Sequence, residues 1–454
     1  MKSRKIIILS VLLYIVSGLS VDAFSRAITI EECVDIALQN HPDVFVSIED
    51  NKKSISNYIA AVSASSVLIN GELKTVEYAK KDSNANTAFS IPGQDTDVGL
   101  FAGLTVVYNL YDARKDIISE SAKVNIDITK INKQRSMDRL TLDVKKAYYG
   151  YLQSKKTLEL REEIYEKNQK KANLARLLFE NGSRPVLDVT KAELDLADAQ
   201  LLLEKARNNE IKMKLSLFYS MGLEEEGVVD ISPVDREDLP ELKFTVDELY
   251  KLADIYNPMI RKTKLEKRIA RLKISQEQAN HFPRVDFILG LGYENQKLTG
   301  GDNFSENFKG DNWSPAFHGM IKASVPVYSG GRTSAMVDSA TSDFNILSLR
   351  EKEILTGTKN TIRDNVRSLD EIQRQIELSI LIKENAERHQ LLAQRSYEHG
   401  IGSLMELQDA ELSVIRARLG HMEARYSYLL TMASLANTIG IGEEAICIDR
   451  AETR

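Results

Sequence analysis

Two hydrophobic periods alternate along this chain. Apolar residues that step by three and four predict helices, and those that step by two predict strands. Val189, Ala192, Leu196, Ala199, Leu203 and Ala206 step by 3, 4, 3, 4 and 3. Leu407, Ala410, Val414, Ala417, His421 and Ala424 repeat those steps 218 residues later. Such a seam belongs to helices paired as in a coiled coil, and its alternate alanines permit close approach. His421 stands where the first seam has Leu203. A lone histidine in a seam is ordinarily packed or hydrogen-bonded rather than a ligand.

The period of two appears four times. Val67, Ile69 and Leu73 alternate with Leu68, Asn70, Glu72 and Lys74, and Val98 to Val106 alternate with Gly99, Phe101, Gly103, Thr105 and Val107. Val285, Phe287, Leu289, Leu291 and Tyr293 alternate with Asp286, Ile288, Gly290, Gly292 and Glu294, and Ile321 to Val327 alternate with Met320 to Pro326. Strands are therefore expected over about 66–79, 97–110, 284–295 and 317–328. One apolar and one small or polar face fits either a membrane barrel with a wet interior or a half-buried soluble sheet. The linkers 81–96 and 299–316 are polar and rich in Gly, Asn, Asp and Ser, which suits exposed loops. Four strands do not close a barrel, which takes about eight, and a lipid-facing sheet leaves no edge unpaired. A membrane reading thus requires several copies to share one barrel.

An internal repeat organises these elements. Thr29-Ile30-Glu31-Glu32 with Ala37 and Pro42 returns as Thr245-Val246-Asp247-Glu248 with Ala253 and Pro258. Gly182, Ala192, Glu193, Leu194, Ser216, Leu217 and Gly222 return as Gly400, Ala410, Glu411, Leu412, Ser434, Leu435 and Gly440. The chain reads as a tandem duplication, with a first repeat at 24–235, a second at 236–442 and a tail at 443–454. None of its nine prolines lies between 92 and 185 or after 326. Proline costs roughly 3 kcal/mol inside a helix, so these gaps permit very long ones. About 112–179 and 332–397 are such helices, each followed by a tight turn at Gly182 or Gly400 and a returning helix.

Composition narrows the classes. The chain has 454 residues, 43% hydrophobic and 28% charged, with net charge −6 and 2 cysteines. It is neither disordered nor a polytopic helical membrane protein. The acidic balance gives no electrostatic reason to bind nucleic acid, and Cys33 and Cys447 make neither a disulfide framework nor a zinc site. Lys2, Arg4 and Lys5 precede an apolar run from Ile6 to Val16, and Val21-Asp22-Ala23 fits a cleavage site. Residues 1–23 are therefore expected to be a signal peptide. Its removal leaves 57 basic and 65 acidic residues, net −8.

Thr29-Ile30-Glu31-Glu32 through His41-Pro42, Val327-Tyr328-Ser329-Gly330-Gly331-Arg332, and Tyr397-Glu398-His399-Gly400 with Leu404-Met405-Glu406-Leu407 resemble the TolC-like outer-membrane efflux protein family. The resemblance spans essentially the whole mature chain. It implies a mainly α fold with membrane β: a long coiled-coil α-helical barrel plus a trimeric 12-stranded β-barrel, four strands per chain. It further implies a homotrimer in the outer-membrane lipid with a periplasmic helical domain, working with a periplasmic adaptor protein and an inner-membrane pump. The duct of such a tripartite efflux or type I secretion system passes small molecules or proteins and catalyses nothing.

The resemblance also implies site residues. Carboxylates narrow the periplasmic aperture in the family, and Glu406 and Asp409 match them. A hydrogen-bonded lock there uses a Tyr matched by Tyr397, an Asp matched by Asp188, and an Arg whose position here is Gly402. Arg184 stands at the equivalent place in the first repeat, so the lock is either inverted or absent. Ser65-Ser66-Val67 also departs from Phe282-Pro283-Arg284 in the second repeat.

The rival reading is a periplasmic coiled-coil adaptor or scaffold, against which two equivalent hairpins, each behind a strand pair, argue. An enzyme fares worse. The six His form no His-Glu-x-x-His, and no Gly-x-Ser-x-Gly or phosphate loop occurs. No catalytic residue, cofactor or metal site is expected.

Overall fold

The computed structural model describes residues 28–79, 96–183, 185–223, 239–295, 309, 313–399 and 401–448. The leader 1–23, Arg184, Gly400 and most of both strand linkers lie outside them. The chain divides into two units: 1–47, 133–258 and 355–454 in one, 48–132 and 259–354 in the other.

In chain order the first half runs α1 (Ile30–Asn40), α2 (Pro42–Ser63), β1 (Leu68–Ala79), β2 (Thr96–Asp112), α3 (Lys115–Glu180) and α4 (Val186–Ser220). The second half runs β3 (Glu241–Leu242), α5 (Val246–Tyr256), α6 (Pro258–Gln278), β4 (Arg284–Asn295), β5 (Ser314–Ser324), α7 (Arg332–Glu398) and α8 (Leu404–Ile439), then α9 (Glu443–Ile446) and β6 (Cys447–Ile448). At 66 and 67 residues, α3 and α7 are each about 100 Å long.

The repeated Thr-x-x-Glu landmarks are helix starts. Glu32 accepts from the Thr29 N–H at 3.1 Å while the Thr29 hydroxyl accepts from the Glu32 N–H at 3.3 Å. In α5, Glu248 accepts from both the N–H and the hydroxyl of Thr245 at 2.9 Å. Those bonds hold the Glu248 carboxyl below its usual range. Pro42 and Pro258 then occupy the first position of α2 and α6, where a missing N–H costs nothing. Gly222 and Gly440 end the returning helices with φ +71° and +87°. A Cβ on Gly222 would sit 2.8 Å from His41 Cα, and one on Gly440 2.6 Å from the Tyr256 carbonyl. The same contact, returning helix against the end of a short one, is thus built twice.

The first unit holds the helix seams. Ala172 and Ala175 of α3 pack on Ala192 of α4, with Val189 and Leu196 beside them. Ala386 of α7 packs on Val414 and Ala417 of α8. A larger core gathers Leu249, Ile362, Leu369, Met432, Leu435 and Ile439. β3 pairs with β6 beside it, a strand pair the sequence reading lacks.

The second unit holds an antiparallel sheet of order β1-β2-β4-β5. Its register puts Ile69, Leu73, Leu104, Leu291, Phe317 and Ile321 on one face, all exposed. The other face carries Asn70, Glu72, Thr105, Gly292, Glu294 and His318. β5 starts at Ser314 and stops at Ser324, so 325–328, expected as its end, are not strand. Pro326 has no N–H for a ladder, and Val327 and Tyr328 stand exposed.

Candidate functional site

The candidate aperture lies at the hairpin ends of the first unit. α3 ends in a turn in which Gly182 (φ +70°) and Ser183 donate to Phe179 and Leu178 at 2.9 Å. Asp188, half-buried in the first turn of α4, lines a recess with Lys171, Asp195, Leu407 and Gln408. At the end of α7, the N–H groups of Ile401 and Gly402 both donate to Ser396 O at 2.9 Å. Tyr397 lies in the last turn of α7, and its side chain is outside the described residues, as are Arg184 and Gly400.

Glu406 and Asp409 both lie exposed in the first turns of α8. The Glu406 carboxylate accepts from the Ser403 N–H at 3.1 Å, and the Ser403 hydroxyl accepts from the Glu406 N–H at 3.2 Å. Glu406 therefore closes a capping box as well as offering a charge. Asp409 carries its charge outward while its backbone carbonyl accepts from Ser413 Oγ at 2.7 Å. Two carboxylates three residues apart on a helix start can concentrate cations and repel anions.

Sequence reasoning missed the polar ties beside this end. Lys171 of α3 pairs with Glu411 of α8, and Gln408 of α8 donates to Asp195 of α4. Arg418 reaches both Glu163 of α3 and Glu387 of α7. Lys167's hydrogen bond and charge, with Arg418's charge, hold the Glu163 carboxyl below its usual range against partial desolvation. The first-repeat counterpart of Glu411, Glu193, instead bonds Arg176 within its own hairpin at 2.6 Å. The signal was present: Gln394 stands where the repeat has Arg176, so no cation faces Glu411 from α7 at that position.

On the polar face of the sheet, each of three acids has a basic neighbour. Glu72 takes Lys74 at 3.0 Å and Thr105 Oγ1 at 2.8 Å. Asp286 takes Arg284 at 2.9 Å and Asn109 at 2.8 Å. Glu294 takes His318 at 3.3 Å. Among the described residues, no group of three or more His, Cys, Asp or Glu side chains is placed to hold a metal.

Two long helical hairpins in one unit and a two-faced sheet in the other are the parts of an outer-membrane channel fold. The sequence matches the model of the outer membrane efflux protein family over residues 102–223 and 249–441. The chain belongs to that family. Among its relatives is the alkaline protease secretion protein AprF of Pseudomonas aeruginosa, 23% identical over 313 residues, a match spanning 67% of this chain and 62% of AprF. The outer membrane protein TolC of Vibrio cholerae is 21% identical over 81% of this chain and 82% of its own length. The fold is also that of the Campylobacter jejuni CmeC outer membrane channel, with a TM-score of 0.76 at 15% identity, covering 93% of this chain and 88% of CmeC.

Proposed function

We propose that this protein is the outer-membrane exit duct of a tripartite efflux or type I secretion system. Three copies would join their sheets into one 12-stranded barrel and continue as a helical tunnel in the periplasm. The observation that carries this is the sheet. It exposes a continuous apolar face while its opposite face is polar, and β1 and β5 are edges that lipid would leave unpaired. The exposed apolar face of the sheet would be the surface that meets the lipid; among the described residues no helix is long and apolar enough to cross a bilayer.

On this reading the leader would be 1–23, the repeats 24–235 and 236–442, and the tail 443–454. Glu406 and Asp409 would ring the periplasmic aperture, with Asp188, Tyr397 and Arg184 near it and the turns at Gly182 and Gly400 forming the tips. An adaptor and an inner-membrane pump would supply the cargo and the energy. The protein itself would carry out no reaction. Named secretion and efflux relatives support both routes.

Purification from outer-membrane fractions, mass in detergent and planar-bilayer recording test the proposal together. The expected outcome is a trimer starting near Phe24 that conducts ions. A folded, stable monomer without conductance would overturn it.

A further inference from the structure

On the polar face of the sheet, Phe101 is fully buried although glycines surround it. Gly103 follows it on that face of β2, and on β4 Gly292 pairs with Gly103 and Gly290 with Thr105. A Cβ on Gly103 would come within 2.8 Å of the ring, and one on Gly290 within 3.6 Å, so the ring lies flat over this glycine floor. His318 of β5 is tilted against it at 5.3 Å between centroids, and Lys74 of β1 stands 5.0 Å from the centroid.

Beside the ring is a buried acid. The Glu294 side chain is 4% exposed, its Oε2 is 3.3 Å from His318 Nε2, and its Oε1 has no hydrogen-bond partner among the described residues. A carboxylate held this dry is costly unless a charge compensates it. The other charges on this face are committed or distant. Lys74 is ion-paired with Glu72, which also accepts from Thr105. Among the described side chains, β2 brings the uncharged Phe101, Gly103 and Thr105 to this neighbourhood, Lys322 lies four residues beyond His318 on β5, and Asp286 and Arg284 pair with each other further along β4. His318 is thus the one basic group in contact with Glu294 among the described residues.

We propose that Glu294 and His318 form a proton-binding pair on the inner wall of the barrel, near the strand ends remote from the helices, that sets the ion preference of the duct. This rests on the duct reading, since the polar face lines a passage only in a closed barrel. With a neutral imidazole, the Nε2–H donates to Oε2 and the wall carries the carboxylate charge. A proton taken up at Nδ1 makes an imidazolium–carboxylate pair and adds one positive charge per chain, three per trimer. Histidine is the side chain whose charge ordinarily changes between about pH 5 and 8. Three charges in a confined lumen shift the permeant-ion balance towards anions.

The test is the anion-to-cation permeability ratio of single channels at pH 7.5 and 5.5. Wild-type protein should show a rise of at least about twofold on acidification. His318→Gln should lose that rise, and His318→Lys should hold the acid-like ratio at both pH values. Glu294→Gln, which removes the carboxylate charge from the wall, should raise the anion-to-cation ratio at pH 7.5. Trimers confirmed by mass in detergent exclude misfolding of each variant. An equal rise in wild type and His318→Gln, or an unchanged ratio at pH 7.5 in Glu294→Gln, would overturn the pair. Wild-type protein that forms no channel would overturn the duct reading itself.

Discussion

The aperture carboxylates invite a substitution that separates charge from capping. Glu406 supplies both, because its carboxylate accepts from the Ser403 N–H that opens α8. Alanine there would delete the capping box, worth about 0.5–2 kcal/mol, and loosen the helix start being tested. Glu406→Gln with Asp409→Asn keeps an amide oxygen for the cap and removes only the charges. In a trimer the double variant removes six. A cation about 10 Å from all six would gain about 2.5 kcal/mol in a water-like dielectric, falling to about 0.7 kcal/mol at physiological salt. That enriches cations about threefold and depletes anions about threefold, a permeability ratio of about ten. The Gln/Asn variant should therefore lose up to about tenfold in cation preference at 0.15 M salt and much less at 1 M, where the screening length is about 3 Å. Reversal potentials across a salt gradient measure it. Unchanged selectivity in a variant that melts like wild type would show that both side chains point into screened solvent rather than the passage.

Three further outcomes are expected. Gly440→Ala should destabilise the fold by more than the about 1–2 kcal/mol of left-handed strain, since its Cβ would press on the Tyr256 carbonyl, whereas Gly182→Ala, with nothing within 4 Å, should show the strain alone in thermal melts. Lys171→Met should cost about 1–2 kcal/mol by leaving Glu411 partly buried without its cation, and Lys171→Met with Glu411→Met should recover most of that loss in a double-mutant cycle. His421 accepts or donates at Ser379 Oγ, 2.8 Å away, and burial, then Arg425 and Lys383, hold its pKa below the ordinary 6.5. Because the folded state binds the proton less readily, its contribution is intact above pH 6.5 and lost as pH falls through the depressed value. His421→Leu, matching Leu203, should flatten the loss of melting temperature between pH 7.5 and 5; Ser379 still donates to Ile376 O, so no hydroxyl is orphaned.

Periodicity and proline spacing were enough to place both long helices, the alternating seams and four strands, because these are local consequences of which face must be buried. The resemblance added the assembly, and the repeat supplied landmarks whose role stayed hidden: only the folded chain makes the Thr-x-x-Glu pairs into capping boxes and Gly222 and Gly440 into close contacts. β5 ends short of the sequence pattern because alternation continues through Pro326 although a ladder cannot. What tertiary structure alone decided are the pairings across elements. Glu193 and Glu411 occupy one repeat position, yet one bonds within its hairpin and the other across to α3. Nothing in the spacing of Phe101, Glu294 and His318 announces that they meet, since they come from three strands. A hydrophobic period fixes which way a side chain faces along its own element. Its partner depends on strand order and register, which are set by the packing of segments nearly two hundred residues apart.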